Sequence, residues 1–345
     1  MGALKNKTYE YKVYTLVNSF VQTIARGIVA SDVSFTKNTN GGVGQMKLQL
    51  NVAFDYSDIG ANNLIEIKEY DEENKSGRTV YKGIVTQVDR IYKPGIEFVS
   101  LTCVGLQWLL NKVIFESGGF TFTKNQEPKT TVQEIIDHFN TRYGGTLFNY
   151  TGSSLDTFGS SISRDYEFTT CIQALNDLAN DTGFYWYVSA EGVVIFKQKP
   201  ATATHKLTIQ KHIDELILSD DHEDIVNEYN LTWKSGIVNS DDATSQTENG
   251  YREKYKKDTV ISSSASAQIT ADEFIIDNKD EKRKITLTVN SSYDIESIEP
   301  GDTVTIENTP ISISNLQVKK VRYNGDVVKL DLELIETLAK EILNN

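Results

Sequence analysis

The sequence is poor in the residues that most protein chemistry requires. It holds 2 cysteines and 4 histidines among 345 residues. Cys103 and Cys171 lie in separate apolar patterns without metal-type spacing. That predicts two buried thiols, and excludes a disulfide scaffold or a zinc knuckle. His138, His205, His212 and His222 form neither an HExxH pair nor a close couple. His138 is expected on the exposed face of a helix beside Asp137, and His205 and His212 at strand edges. No GxSxG or Cys–His nucleophile context occurs. Positive charge is the minority: 35 basic residues against 48 acidic leave a net charge of -13. A protein that grips nucleic acid by its phosphates needs the opposite sign. No apolar run approaches the length of about 18 residues that a membrane-spanning helix needs. The opening "MGALKNKTYEYKVY" lacks the apolar centre of a signal peptide. Its Met-Gly start is a poor myristoylation match, because Lys5, Asn6 and Lys7 stand where Ser or Thr would help.

Two further stretches invite a ligand and do not sustain one. Asp220, Asp221, His222, Glu223 and Asp224 lack the glycine and the spaced oxygens of a calcium loop, and read as a solvated acidic turn. "NGGVG" at 40–44 precedes a strand, so it offers no helix N-terminus to a phosphate. No catalytic, cofactor-binding or metal residue is therefore assigned.

What the chain does have is β-forming material. Tyr 17 and Phe 14 are abundant, Val, Ile and Thr are frequent, and proline is limited to 5. Residues 8–110 alternate in "YEYKVYTLV", "GQMKLQLNV", "NNLIEIKEY", "TVYKGIVTQVDRIY" and "EFVSLTCVGL", with turns at Asn40-Gly41-Gly42 and Pro94-Gly95. Residues 111–200 change character. "TTVQEIIDHFNTRYGG" reads as a helix with Thr131 as N-cap, Glu134 completing a capping box and Gly144 ending it. "TTCIQALNDLANDTG" reads as a second helix from Thr169 or Thr170 to Gly183, followed by the aromatic hairpin "FYWYVSAEGVVIFKQ". From 201 the chain returns to β, interrupted by a polar, Ser-rich stretch at 236–272 that predicts a long surface loop or a segment ordered only by a partner. "ETLAKEILNN" suggests a closing helical turn. The expected plan is mainly β with an α+β insert: a first barrel over 1–112, the insert over 113–200, a second barrel over 201–337 and a tail over 338–345.

Two distant stretches look related, "IGANNLIEIKEY" at 59–70 and "SIEPGDTVTIEN" at 297–308. Each opens a strand, loop, strand, Gly turn and strand. A Val-x-x-Ile/Val step pairs Val88 and Ile91 with Val318 and Val321. The chain reads as holding two related β modules.

In order, these parts resemble the tail hub proteins of bacteriophages and of type VI secretion spikes. The carrying segments are the opening "YEYKVYTLVNSFVQTIARGIVASDVSFTKNTNGGVGQMKLQL", "LIEIKEY…TVYKGIVTQVDR", "FTTCIQALNDLANDTGFYWYVSAEGVVIF", "NGYREKY" and "IEPGDTVTIEN". The resemblance spans about residues 8–337. It implies two tail-tube-like β-barrels per chain around an intervening α/β domain. It also implies a homotrimer whose six similar units stack on a six-fold tail tube. Implied partners are distal tail or tail-tube proteins, a tape measure protein and tip or fibre proteins, with DNA passing unbound through an acidic channel and no membrane insertion. The implied place is the tail tip or baseplate of a virion assembled in the host cytoplasm. The residues after 337 leave no room for a lytic domain, so no enzymatic activity is carried over. Two other readings stay open on the residues: an adhesion module stacking sugars on Tyr185, Trp186 or Tyr187, and a component of a cell-wall hydrolase.

Overall fold

Alternation of apolar and polar residues builds most of the chain as strands. The computed structural model describes residues 8–16, 20–24, 34–51, 58–70, 77–94, 96–115, 122–200, 202–221, 224–280, 282–308, 313–324 and 327–334. A first sheet contains β1 (Thr8–Tyr14), β2 (Phe20–Ile24), β5 (Met46–Asn51), β6 (Leu64–Tyr70), β7 (Arg78–Lys93) and β8 (Ile96–Gly105), in the order β2-β1-β6-β7-β8-β5. A second, larger sheet takes β3 (Ser34–Asn38), β4 (Gly41–Val43), β11 (Tyr185–Val188), β12 (Val194–Lys197) and β14 (Ile213–Asp221). It is completed by β18 (Lys282–Asn290), β20 (Ile313–Asn324) and β21 (Val327–Leu334), with β13 (His205–Thr208) and β19 (Thr303–Glu307) joined to β20. The architecture is mainly β with an α+β insert, as the alternation predicts.

The duplication holds at the level of strand order. The chain runs β5-β6-β7-β8 in one unit and β18-β19-β20-β21 in the other. Both sheets order these strands second, third, fourth, first. Registers agree as well. Met46, Leu48 and Leu50 lie opposite Cys103, Leu101 and Val99, as Ile285, Leu287 and Val289 lie opposite Leu332, Leu330 and Val328. Toward its fourth strand, each third strand carries one bulged residue, Thr86 in β7 and Lys319 in β20. These bulges fix the correspondence: Val85 and Val88 match Val318 and Val321, facing Cys103 and Leu101 in one unit and Leu332 and Leu330 in the other. Pairing Val88 with Val318 is therefore one step out. The Val-x-x-Val/Ile step repeats within β7 itself, so periodicity cannot choose the register and the bulge does. One apolar core underlies both units, with Leu48 and Leu101 of the first beside Leu287 and Leu330 of the second. The outer strands differ, since β1 runs antiparallel to β6 whereas β13 runs parallel to β19.

Strands β3 and β4, expected in the first barrel, pair instead with β20 and β11. The insert contains β9 (Phe122–Gln126), α1 (Pro128–Tyr143), β10 (Ile162–Tyr166) and α2 (Cys171–Thr182). Helix α1 starts ahead of the expected Thr131 cap. Pro128 takes the first turn, where its missing N–H costs nothing, and Thr131 is buried with its hydroxyl accepting from Gln126 Nε2 at 3.1 Å. Thr170 caps α2 and Gly183, in the left-handed region, ends it.

The polar stretch 236–272 is not a loop. It folds as β16 (Gly236–Asp241), α3 (Ala243–Asn249), β17 (Glu253–Lys257) and the start of α4 (Ser264–Asn278), against β15 (Glu228–Trp233). The strands form a separate sheet ordered β16-β15-β17. Its small core joins Tyr229, Leu231 and Ile261 to Ala267, Ala271 and Ile275 of α4. Serine content misleads here because the serines cap: Ser263 accepts from Ser266 N at 3.1 Å. Alanines at two successive helical turns supply the buried face, which composition reads as polar linker. The turn residues Gly95 and Gly325, and the stretch 338–345, lie outside the described residues.

Candidate functional site

A polar seam runs around Glu299-Pro300-Gly301-Asp302, the turn that opens β19, and on to Asp294, where Arg78 of the first unit meets the second. Gly301 has φ +90, and its N–H donates to Val318 O at 2.7 Å. Asp302 Oδ2 accepts from Glu299 N at 2.8 Å and lies 2.8 Å from His205 Nε2. His205 Nδ1 is 2.9 Å from the Tyr293 hydroxyl, so this histidine is buried in a network, not set on an open edge. Lys37 of β3 is only 2% exposed and reaches Glu299 Oε1 at 2.6 Å. Burial pushes the Glu299 carboxyl up against the pull of Lys37. Phe35 of the same strand stacks on Tyr323 of β20 at 4.6 Å and meets Tyr81 of β7 edge-on at 5.2 Å. Arg78 of β7 bridges Glu69 at 3.2 Å and Asp294 at 2.9 Å. Residues of β3, β6 and β7 are thus fastened to the approach and body of the second unit.

A Cβ at Gly301 would lie 2.0 Å from the Tyr185 ring. Gly301→Ala combines that overlap with a left-handed conformation that costs an L-residue about 1–2 kcal/mol. Urea unfolding of the variant is expected to show a loss of about 2 kcal/mol, part of which Tyr185→Leu restores by vacating the space. The Lys37–Glu299 pair makes the opposite prediction. Replacing both as Lys37→Met with Glu299→Leu is expected to leave stability unchanged or raise it by about 1 kcal/mol, because the pair barely repays the burial of the Lys37 ammonium. Loss of more than about 2 kcal/mol would show that the pair is a net stabiliser.

Most of the aromatic hairpin faces inward, with Tyr187 half-buried. Trp186 is 0% exposed and its indole N–H donates to Asn176 Oδ1 at 2.9 Å. Phe184 and Tyr185 are also buried, and Tyr187 lies parallel to Tyr185 at 6.3 Å. Strand β11 runs beside β4, so these rings join the insert to the second sheet.

A second buried polar joint holds the insert to the small unit of β15–β17 and α4. Arg164 of β10 forks onto Asp181 of α2, with Nη2 at 2.7 Å from Oδ1 and Nε on Oδ2. Asp177 and Asp258 stand 3.5 and 3.4 Å from the same guanidinium, and Thr270 of α4 donates to Asp181 at 2.9 Å. Nothing in the sequence singles these residues out, since scattered charges read as solvated surface.

Of the remaining sequence candidates, His138 Nε2 lies 2.8 Å from the Ile114 carbonyl and His212 Nδ1 accepts from Thr208 N at 3.1 Å. Burial pushes the thiols of both Cys103 and Cys171 up to about 12, which makes them inert core groups. In the acidic turn, His222 and Glu223 lie outside the described residues. Among the described residues no cluster of His, Cys, Asp and Glu could hold a metal ion, and no helix is long and apolar enough to cross a membrane.

No protein-family model matches this chain, and no curated protein matches it by sequence. Solved structures do match its fold. The tail protein from Neisseria meningitidis MC58 aligns with a TM-score of 0.65 at 12% identity, covering 94% of this chain and 96% of that one. The 43 kDa tail protein of prophage MuSo2 from Shewanella oneidensis gives 0.63 at 11% identity, covering 94% and 98%. A prophage tail protein from Listeria monocytogenes EGD-e gives 0.61 at 10% identity, covering 97% of each. Over nearly its whole length, the chain has the fold of these phage tail proteins.

Proposed function

We propose that this protein is the structural hub of a phage tail tip or baseplate, a homotrimer that joins the tail tube to the tip. The observation that carries the reading is the paired four-strand unit, with matching strand order, register and bulge. A chain that presents one module twice lets three copies offer six near-equivalent surfaces. A six-fold tube can then stack on a three-fold tip without a mismatch at the joint. The likeness to phage tail proteins supports a structural role in a tail. The net charge of -13 suits a lumen through which DNA passes without adhering. In this reading the partners are tail-tube or distal tail proteins, a tape measure protein and tip or fibre proteins, and the chain performs no catalysis. The burial of Trp186 weighs against the adhesion reading.

The test is the mass of the assembled protein. Light scattering after size exclusion should give three times the 38.7 kDa chain, alone or with tail-tube protein. A monomer under both conditions would sink the hub reading. Strand β14, at one end of the larger sheet, exposes Ile217 by 48% and Leu218 by 50%. As part of a subunit contact, the Ile217→Glu, Leu218→Glu variant should remain folded by circular dichroism and dissociate at a concentration about tenfold or more higher than the parent.

A further inference from the structure

Where α2, α4, β17 and the bulge of β20 converge, the fold leaves a cleft of about 410 Å³. Its charged lining is Lys199, Lys254, Lys256 and Lys319 with Asp277, and from outside the lining Glu333 pairs with Lys319 at 2.8 Å and Asp258 with Lys256 at 3.5 Å. The sign of the lining is reversed from a chain of net charge -13. The lysines come from three separate elements. Lys199 follows β12 and pairs with Asp277 at 2.7 Å. Lys319 is the bulged residue of β20, at the position Thr86 holds in the first unit, and bulges re-aim side chains. Lys254 and Lys256 belong to β17, beside Tyr229 and Leu231 of β15 in register. They share the sheet face that continues the small core, and Lys254 Nζ lies 5.0 Å from the centre of the Phe274 ring. All five residues of β17 are exposed, and among the described residues the strand ends its sheet.

Inward lysines on an end strand are also a device against edge-to-edge aggregation. That role needs no lysine from another element, whereas here two more converge from outside the sheet. We propose that the cleft and the outer edge of β17 receive an extended acidic segment of a protein partner. The segment's backbone pairs with β17, and carboxylates on alternate residues meet Lys254 and Lys256, which a strand sets roughly 7 Å apart. Lys199 and Lys319 close the far side of the cleft. The site stands whether or not three copies form a ring.

The probe is a fluorescent decapeptide with Glu at alternate positions and Thr or Val between, tested by anisotropy at low salt. Binding should weaken about tenfold or more when Glu is replaced by Gln, and equally in the Lys254→Glu, Lys256→Glu variant, whose changes fall on exposed side chains. Lys199→Gln, on a different element, should weaken it too, which edge protection alone does not require. Peptide should slow hydrogen exchange at the amides of 253–257. The proposal falls if the Glu peptide does not bind, if charge reversal leaves binding intact, or if the 253–257 amides stay unprotected. It falls equally if a ten-residue oligothymidylate binds this cleft and the peptide does not.

Discussion

Arg164→Ala is expected to lower unfolding free energy by about 3–5 kcal/mol, the range for leaving buried charge without its partner. Arg164 is the guanidinium on which Asp181, Asp177 and Asp258 converge, and Asp181 is fully buried. The loss should depend on pH. Burial raises the Asp177 carboxyl above the ordinary range, with Arg164 pulling it down and Asp181 pushing it further up. A carboxyl raised by folding contributes stability below its unfolded pKa and loses it as pH rises through the folded value. Removing the guanidinium leaves only the Gln173 hydrogen bond at 3.0 Å to oppose the upward push of burial and Asp181 on Asp177. The deficit should therefore be larger at neutral pH than at a mildly acidic pH, because only the ionised Asp177 needs the guanidinium. Urea denaturation at both pH values measures it. A loss below about 1 kcal/mol at the higher pH would mean that water relaxes into the joint and that the cluster is not a rivet. The small unit of β15–β17 and α4 should also loosen, because Thr270 and Asp258 reach the insert through this site.

Trp186→Ala should cost about 3–5 kcal/mol by cavity formation, the range for truncating a large buried aromatic. Trp186 is the largest fully buried side chain, and its backbone holds the β3–β4 turn through Asn40, whose N–H donates to Trp186 O at 2.6 Å. The insert and the second sheet should lose their fixed relation together. Limited proteolysis ought to cut between 189 and 205 in the variant and spare the parent. Trp186→Phe, which keeps ring packing and drops the bond to Asn176, should recover most of the loss. A stable, protease-resistant Trp186→Ala protein would show that the strand pairing of β11 suffices.

The sequence made some of this legible because the rules involved are local. Thr170 and Gly183 bound α2 since capping acts within one turn. Met46, Leu48 and Leu50 declare the buried face of β5 since strand period is two residues. The duplicated unit was visible for the same reason. Its register was not, because a bulge is a property of a strand pair and leaves no mark on either strand alone. The seam was hidden more completely. Lys37 falls on the same face of β3 as buried Phe35, where a charge contradicts the strand pattern, and only the arrival of Glu299, from far along the chain, gives its buried ammonium a partner. The 236–272 stretch failed for the opposite reason: its helix buries alanine, which adds little to any apolar count.

Strands β14 and β18 are partners, and the chain between them leaves at Asp221 and returns at Lys282, directly opposite one another. The whole unit of β15–β17 and α4 therefore hangs from the mouth of a single hairpin. A unit hung in this way can lengthen, shrink or be exchanged without shifting any residue of the sheet that carries it. The second four-strand unit can stay constant while the appended unit changes together with Arg164 and Asp181, the residues of the insert on which it docks.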